Sequence, residues 1–203
     1  GSMSPYSFAK VAKDLGFSGL EYVNQLYKGV MDTSGGDKIT SVKFWAKENS
    51  KLAKENGIEN VLIMIDSEGD LADENRNRRN QSIDNHKLWV DAANESGCKS
   101  IRVNLHGTNN KNKWKEYSME SLTKLASYAQ SLNINVIVEN HGQLSSNIPV
   151  LMEVINNVNM KNCGTLPDFG NFCMVSGYGN IFGGECPEIY DLYLSLIHIS
   201  EPT

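Results

Sequence analysis

The chain has 203 residues, a net charge of −5 and 40% hydrophobic residues. That length suits one α/β domain and is short for a closed eight-unit β/α barrel, which typically takes about 250 residues. The acidic balance leaves no basic patch, so nucleic acid is not an expected partner. No apolar run approaches the roughly 20 residues of a membrane span, and no cleavable leader is visible, so no membrane association is expected. Cys98, Cys163, Cys173 and Cys186 lack CxxC spacing and read as free thiols of a cytoplasmic protein.

Gly1-Ser2 before Met3 resembles the scar of a cleaved purification tag, which sets residues 1–3 aside. Tyr6 to Gly16 carries apolar residues at helical spacing, with Ser4 as N-cap, Pro5 in the first turn and Gly16 as C-cap. Gly19 to Val23 reads as a strand ending at Asn24, and residues 29–38 as a loop. Thr40 to Asn56 is predicted helical and closed by Gly57. Asn60 to Asp66 is a predicted strand, Ser67 to Asn80 a polar loop, and Ile83 to Ser96 a helix capped by Gly97. Then come a strand over Ser100 to Asn104, a loop over Gly107 to Lys113 and a helix over Ser118 to Leu132. A strand over Asn135 to Glu139, a shorter helix over Asn147 to Asn156 and a strand over Cys163 to Leu166 follow. Beyond Phe172 the pattern weakens. Glycines 177, 179, 183 and 184 suggest a long loop, and Pro187 to Tyr193 reads as the start of a helix. The last stretch, Leu194 to Thr203, resembles the in-frame translation of a transposase-type sequencing adapter. A genuine apolar terminal strand or helix is the other reading.

Short β-branched runs separated by long amphipathic stretches imply buried parallel strands with helical crossovers. No composition break marks a second domain, so one domain over residues 4–193 is expected, with 194–203 a non-native tail. Units drift between about 30 and 40 residues, as barrel units do and regular solenoids do not. The fold class expected is α/β, a partial (β/α)8 TIM barrel of about five strands, without its first strand and its last two.

Each middle strand ends in a polar residue that can do chemistry: Asp66, Asn104 with His106 beyond it, Glu139 with His141 beyond it, and Asp168. Parallel strands bring these ends to one face, the mouth where β/α barrels place their sites. Glu139 and Asp168 directly end neighbouring strands and can share a divalent cation such as Mn²⁺, Mg²⁺ or Zn²⁺. Equally, each can cap the following helix or pair with an arginine. His106 and His141 can bind substrate or be hydrogen-bonded structural residues. Glu21 and Asn24, on the first strand, can orient a polar ligand. Arg102 is expected to point outward into the helix layer or to a carboxylate there, and His86 and Trp89 to pack. No P-loop, G-x-G-x-x-G, G-x-S-x-G or H-E-x-x-H motif occurs, which argues against kinase, dehydrogenase, serine hydrolase and zincin chemistry.

Four stretches carry a family resemblance: residues 16–25, Ile101-Arg102-Val103-Asn104, Val138-Glu139-Asn140-His141-Gly142, and Gly164-Thr165-Leu166-Pro167-Asp168-Phe169-Gly170-Asn171-Phe172. Over roughly residues 5–175 the chain resembles the sugar phosphate isomerase/epimerase group of xylose-isomerase-like TIM barrels. The resemblance implies a carbohydrate substrate and a divalent metal held by Glu139 and Asp168, with a later His and Glu completing the ligand set beyond Tyr193. It implies Glu139 as the proton-transferring catalytic residue, with Glu21, Asn24, Asn104, His106 and His141 binding substrate. Asn171 stands where many epimerases of the group place a histidine. The expected reaction is isomerisation or epimerisation by proton transfer α to a carbonyl, this shortened chain itself being inactive. The alternatives are a phosphodiester hydrolase of the endonuclease IV type and a non-catalytic barrel fragment. Open sheet edges and an uncovered apolar interior also suggest a homo-oligomer.

Overall fold

The computed structural model describes residues 4–32, 36–168 and 171. The expectations for residues 1–3 and 172–203 lie outside the described residues. Those are the tag scar, the helix from Pro187, the appended tail, Cys173 and Cys186.

Five strands form one sheet: β1 (Gly19–Val23), β2 (Glu59–Met64), β3 (Ser100–Val103), β4 (Asn135–Glu139) and β5 (Cys163–Leu166). Their spatial order follows the chain, and every neighbouring pair is parallel. Sequential order with a helix in each crossover is the winding of a β/α barrel, because a doubly wound sheet reverses its strand order. The fold is therefore α/β, a partial TIM barrel.

The helices are α1 (Phe8–Asp14), α2 (Lys28–Asp32), α3 (Lys38–Asn56), α4 (Arg76–Ser96), α5 (Lys111–Gln130) and α6 (Ile148–Val158). Side-chain caps fix their starts. Asp37 accepts from the Thr40 amide at 2.8 Å, and Asn75 from the Asn77 and Arg78 amides at 3.0 and 3.1 Å. Asn110 caps α5 through the Lys113 amide at 3.2 Å. α4 and α5 start earlier than apolar periodicity predicts, at Arg76 and Lys111, because their first turns are polar and a cap sets them. Residues 29–32, assigned to loop from sequence, and the preceding 24–28 form a 3₁₀ turn (Asn24–Tyr27) followed by α2. Tyr27 anchors that turn, buried edge-on against Trp45 with ring centroids 5.5 Å apart.

The core lies between sheet and helices. Ile63, Ile65, Ile101, Val103, Val136 and Val138 are buried on the helix-facing side. Against β1 and β2, Trp45 packs edge-on with Tyr22 and Trp89 at 5.2 and 5.4 Å. Among polar groups in this layer, the Tyr22 hydroxyl donates to Asn60 Oδ1 at 2.6 Å, and Asn60 Nδ2 donates to the Ser96 carbonyl at 2.7 Å.

Side chains alternate across a strand, so residues between the helix-facing ones lie on the opposite face, the barrel interior. With the register of each pair, that face carries Glu21, Leu62, Met64, Arg102, Ile137 and Glu139. The loops after β2 and β3 are tied by a bridge between Ala72 and Gly107. Gly107 has φ +152°, and a Cβ there would stand 2.1 Å from the Ala72 carbonyl oxygen, so only glycine admits this approach. Among the described residues no helix is long and apolar enough to cross a membrane.

Candidate active site at the strand ends

Two asparagines at strand ends perform the same task. Asn24, directly after β1, accepts from the Asp66 amide at 2.8 Å and donates to the Asp66 carbonyl at 3.0 Å. Asn140, directly after β4, accepts from the Asp168 amide at 2.7 Å and donates to the Asp168 carbonyl at 2.9 Å. In both places a buried side-chain amide pairs with both backbone groups of an aspartate two residues past the next strand. Each aspartate backbone is thereby fixed as firmly as a strand residue, and its carboxylate is held at the mouth. For Asn24 this is a different task from the substrate contact expected of it, since Asp66 takes both its Oδ1 and its Nδ2.

Glu139 and Asp168 converge. Asn171 Nδ2 donates to Glu139 Oε1 and to Asp168 Oδ2, each at 3.0 Å. Burial pushes the Glu139 pKa above the ordinary glutamate range. Asp168, close enough to share a proton with Glu139, adds to the rise, and Arg102 and His141 oppose it. Ser146 holds the Asn171 backbone by donating to its carbonyl at 2.6 Å.

Arg102 lies on the interior face, contrary to the outward orientation expected for it. Residues 102 and 104 are two apart on one strand direction and so share a face. Arg102 Nη1 donates to Asp66 Oδ1 at 2.7 Å, and its Nε lies 2.7 Å from Glu139 Oε2. The Nε–H is not aligned with that oxygen, so this second contact is ionic rather than a directed hydrogen bond. Glu139 thus has the arginine partner that its position left open, while its other oxygen turns to Asn171.

Asn104 Nδ2 also donates to Asp66 Oδ1, at 3.0 Å, and its buried Oδ1 has no hydrogen-bond partner among the described residues. His106 and His141, from the loops after β3 and β4, meet edge to face with ring centroids 5.6 Å apart. Burial and the neighbouring His141 hold the His106 pKa below the usual histidine value. Glu21, one layer deeper in β1, is exposed on the interior face. His86 and Trp89 are buried in α4. His86 Nδ1 donates to the Ser82 carbonyl at 2.7 Å, and its pKa is lowered by burial.

One functional-looking residue escaped the sequence reading. Glu68, in the loop after β2, is a buried carboxylate that accepts from Trp89 Nε1 at 2.7 Å and from Asn24 Nδ2 at 3.4 Å, and pairs with Lys38. Nothing in a polar loop marks one acid as buried, so no sequence signal singled it out.

A divalent ion favours hard oxygen ligands, and Glu139 and Asp168 offer two, aimed at one point now filled by the partial positive charge of an amide. Among the described residues no group of three or more His, Cys, Asp or Glu is placed to hold a metal. The pair fits one side of an ion's ligand shell.

The sequence profile of the xylose isomerase-like TIM barrel family matches residues 9–202. The chain belongs to this family. No curated protein sequence matches it. Among solved structures it resembles the 3-keto-D-glucoside 4-epimerase of E. coli, with a TM-score of 0.72 and 15% identity over 95% of this chain and 70% of that one. It also resembles a D-psicose 3-epimerase determined in the presence of D-fructose, with a TM-score of 0.69 and 15% identity over 99% of this chain and 65% of that one. A third resemblance is to the IolI protein with a bound zinc atom, with a TM-score of 0.69 and 17% identity over 86% of this chain and 62% of that one. At these identities the shared property is the fold. The chain spans less than two thirds of the length of the last two.

Proposed function

We propose that the xylose isomerase-like barrel of this chain serves a divalent-metal-dependent isomerase or epimerase that moves a proton α to the carbonyl of a sugar or sugar derivative. The observation carrying this reading is the convergence of Glu139 and Asp168 on one point at the strand ends. Two epimerases and a zinc-bound protein among barrels of the same fold lend it support.

Glu139 and Asp168 would hold the ion, which when bound polarises the substrate carbonyl. Glu139 takes the proton from the carbon α to that carbonyl and returns it as the carboxylic acid. Burial raises its pKa, which favours its holding the proton between the two transfers. Asn104 Oδ1, unpaired among the described residues, accepts a substrate hydroxyl, and His106 and His141 bind neighbouring ones. Glu21 faces the same interior.

An endonuclease IV type of hydrolysis fits less well. The interior face and strand ends carry Glu21, Asp66, Glu139 and Asp168 against Arg102, which two of those carboxylates already engage. Such a lining repels a phosphate backbone and accepts from hydroxyl donors. The test uses a chain extended to carry the further His and Glu that the family resemblance calls for: supplemented with Mn²⁺, it is incubated with unphosphorylated ketoses in D₂O and followed by NMR at the carbon α to the carbonyl. The reading expects deuterium incorporation that Glu139→Gln abolishes. No incorporation by the wild type, or equal incorporation by the variant, overturns it.

A further inference from the structure

We infer that Arg102 is a positioning residue that reserves one oxygen of Glu139 and so restrains the carboxylate pair from binding a cation tightly. The inference rests on the proposed Glu139–Asp168 metal pair and assigns a role that the pair alone does not require.

Three observations carry it. The Arg102 side chain is 5% exposed and the Glu139 side chain 7%, so their contact is inside the protein, where charge interactions are little screened. The guanidinium stands between two carboxylates, Asp66 Oδ1 and Glu139 Oε2, each at 2.7 Å. Asp66 is itself immobilised, its backbone held by Asn24 at 2.8 and 3.0 Å and its Oδ1 by Asn104 at 3.0 Å.

The chain of contacts therefore runs from the Asn24 side chain at the end of β1, through Asp66, to the guanidinium and then to Glu139. It leaves Glu139 Oε2 turned to Arg102 and Oε1 turned to Asn171, which also donates to Asp168. A carboxylate with one oxygen against a guanidinium offers a cation one oxygen only. The guanidinium also contributes a positive charge that opposes a second cation nearby.

The test is Mn²⁺ binding, followed by electron paramagnetic resonance of the free ion, with thermal unfolding run on the same samples. Arg102→Met should bind Mn²⁺ about tenfold more tightly than the wild type while melting at a lower temperature. Arg102→Lys, which keeps the charge, should return the affinity towards the wild-type value. Asp66→Asn frees the guanidinium from one partner and should weaken Mn²⁺ binding. A merely structural arginine moves affinity and stability in the same direction, so opposite movement identifies the positioning role. Folded Arg102→Met that binds Mn²⁺ no more tightly than the wild type overturns the inference. If Arg102→Met does not fold, Asp66→Asn decides: unchanged or tighter binding overturns the inference. Absence of Mn²⁺ binding in the wild type and every variant also overturns the reading of the pair as a metal site.

Discussion

Asn140 shows how much of a site can rest on a residue that takes no part in chemistry. Its side chain is almost wholly buried and both its amide atoms face the Asp168 backbone. Asn140→Ala leaves two part-buried backbone groups of Asp168 without this partner, which together cost about 1–3 kcal/mol. Chemical denaturation should show a loss in that range, with Asp168 no longer held in place. Asn24→Ala should show a comparable loss, since the geometry at Asp66 repeats. Glu139 makes a prediction of the other kind. Its folded pKa lies above the ordinary value, so the folded protein binds more protons than the unfolded chain between the two pKa values. The stability contributed by protonated Glu139 is complete below the unfolded pKa and falls as pH rises through the folded one. Melting temperatures across acidic to neutral pH should therefore show the wild type losing ground to Glu139→Gln as pH rises. An unchanged difference between the two would show that burial does not raise this pKa.

At the scale of elements, the strands and their polar ends were legible because a buried parallel strand is a short apolar run that stops where the chain meets the mouth. β1, β3, β4 and β5 fall within a residue of their expected bounds, and β2 within two. Helix starts were less legible. Arg76 to Asn80 has no apolar period, yet it is helical because Asn75 caps it and because Arg79 is buried against Glu120 at 2.7 Å. Asn75→Ala should cost about 1 kcal/mol, read from the unfolding midpoint, and should fray α4 back towards Ile83. The site was legible as a set of strand-end residues, and Glu139 with Asp168 and His106 with His141 were the pairs that came together. The face of Arg102 was also readable, since strand period two places residue 102 with residue 104. The Asn24 and Glu68 contacts were not readable, because they depend on which loop folds over which strand end.

For the whole molecule, the five strands wind as a barrel does, and the chain covers 62–70% of the length of three solved barrels of the same fold. Large apolar side chains face solvent: Leu15 is 70% exposed and Phe17 59%, and Phe44 and Ile39 of α3 are also exposed. Exposed apolar groups of this size favour association. Light scattering should find a dimer or larger assembly, and Phe17→Glu or removal of residues 194–203 should shift it towards monomer. A compact monomer in every case would remove this surface from the account.

The central claim is that Glu139 and Asp168 form a divalent-ion pair at the mouth of a xylose isomerase-like barrel. A calorimetric titration of the protein with Mn²⁺, repeated on Glu139→Gln and Asp168→Asn, tests it most directly. The account predicts one weak site in the wild type, because two carboxylates alone leave most of an ion's ligand shell to water, and loss of that site in either variant. Binding that survives both substitutions, or no binding by the wild type, would contradict it.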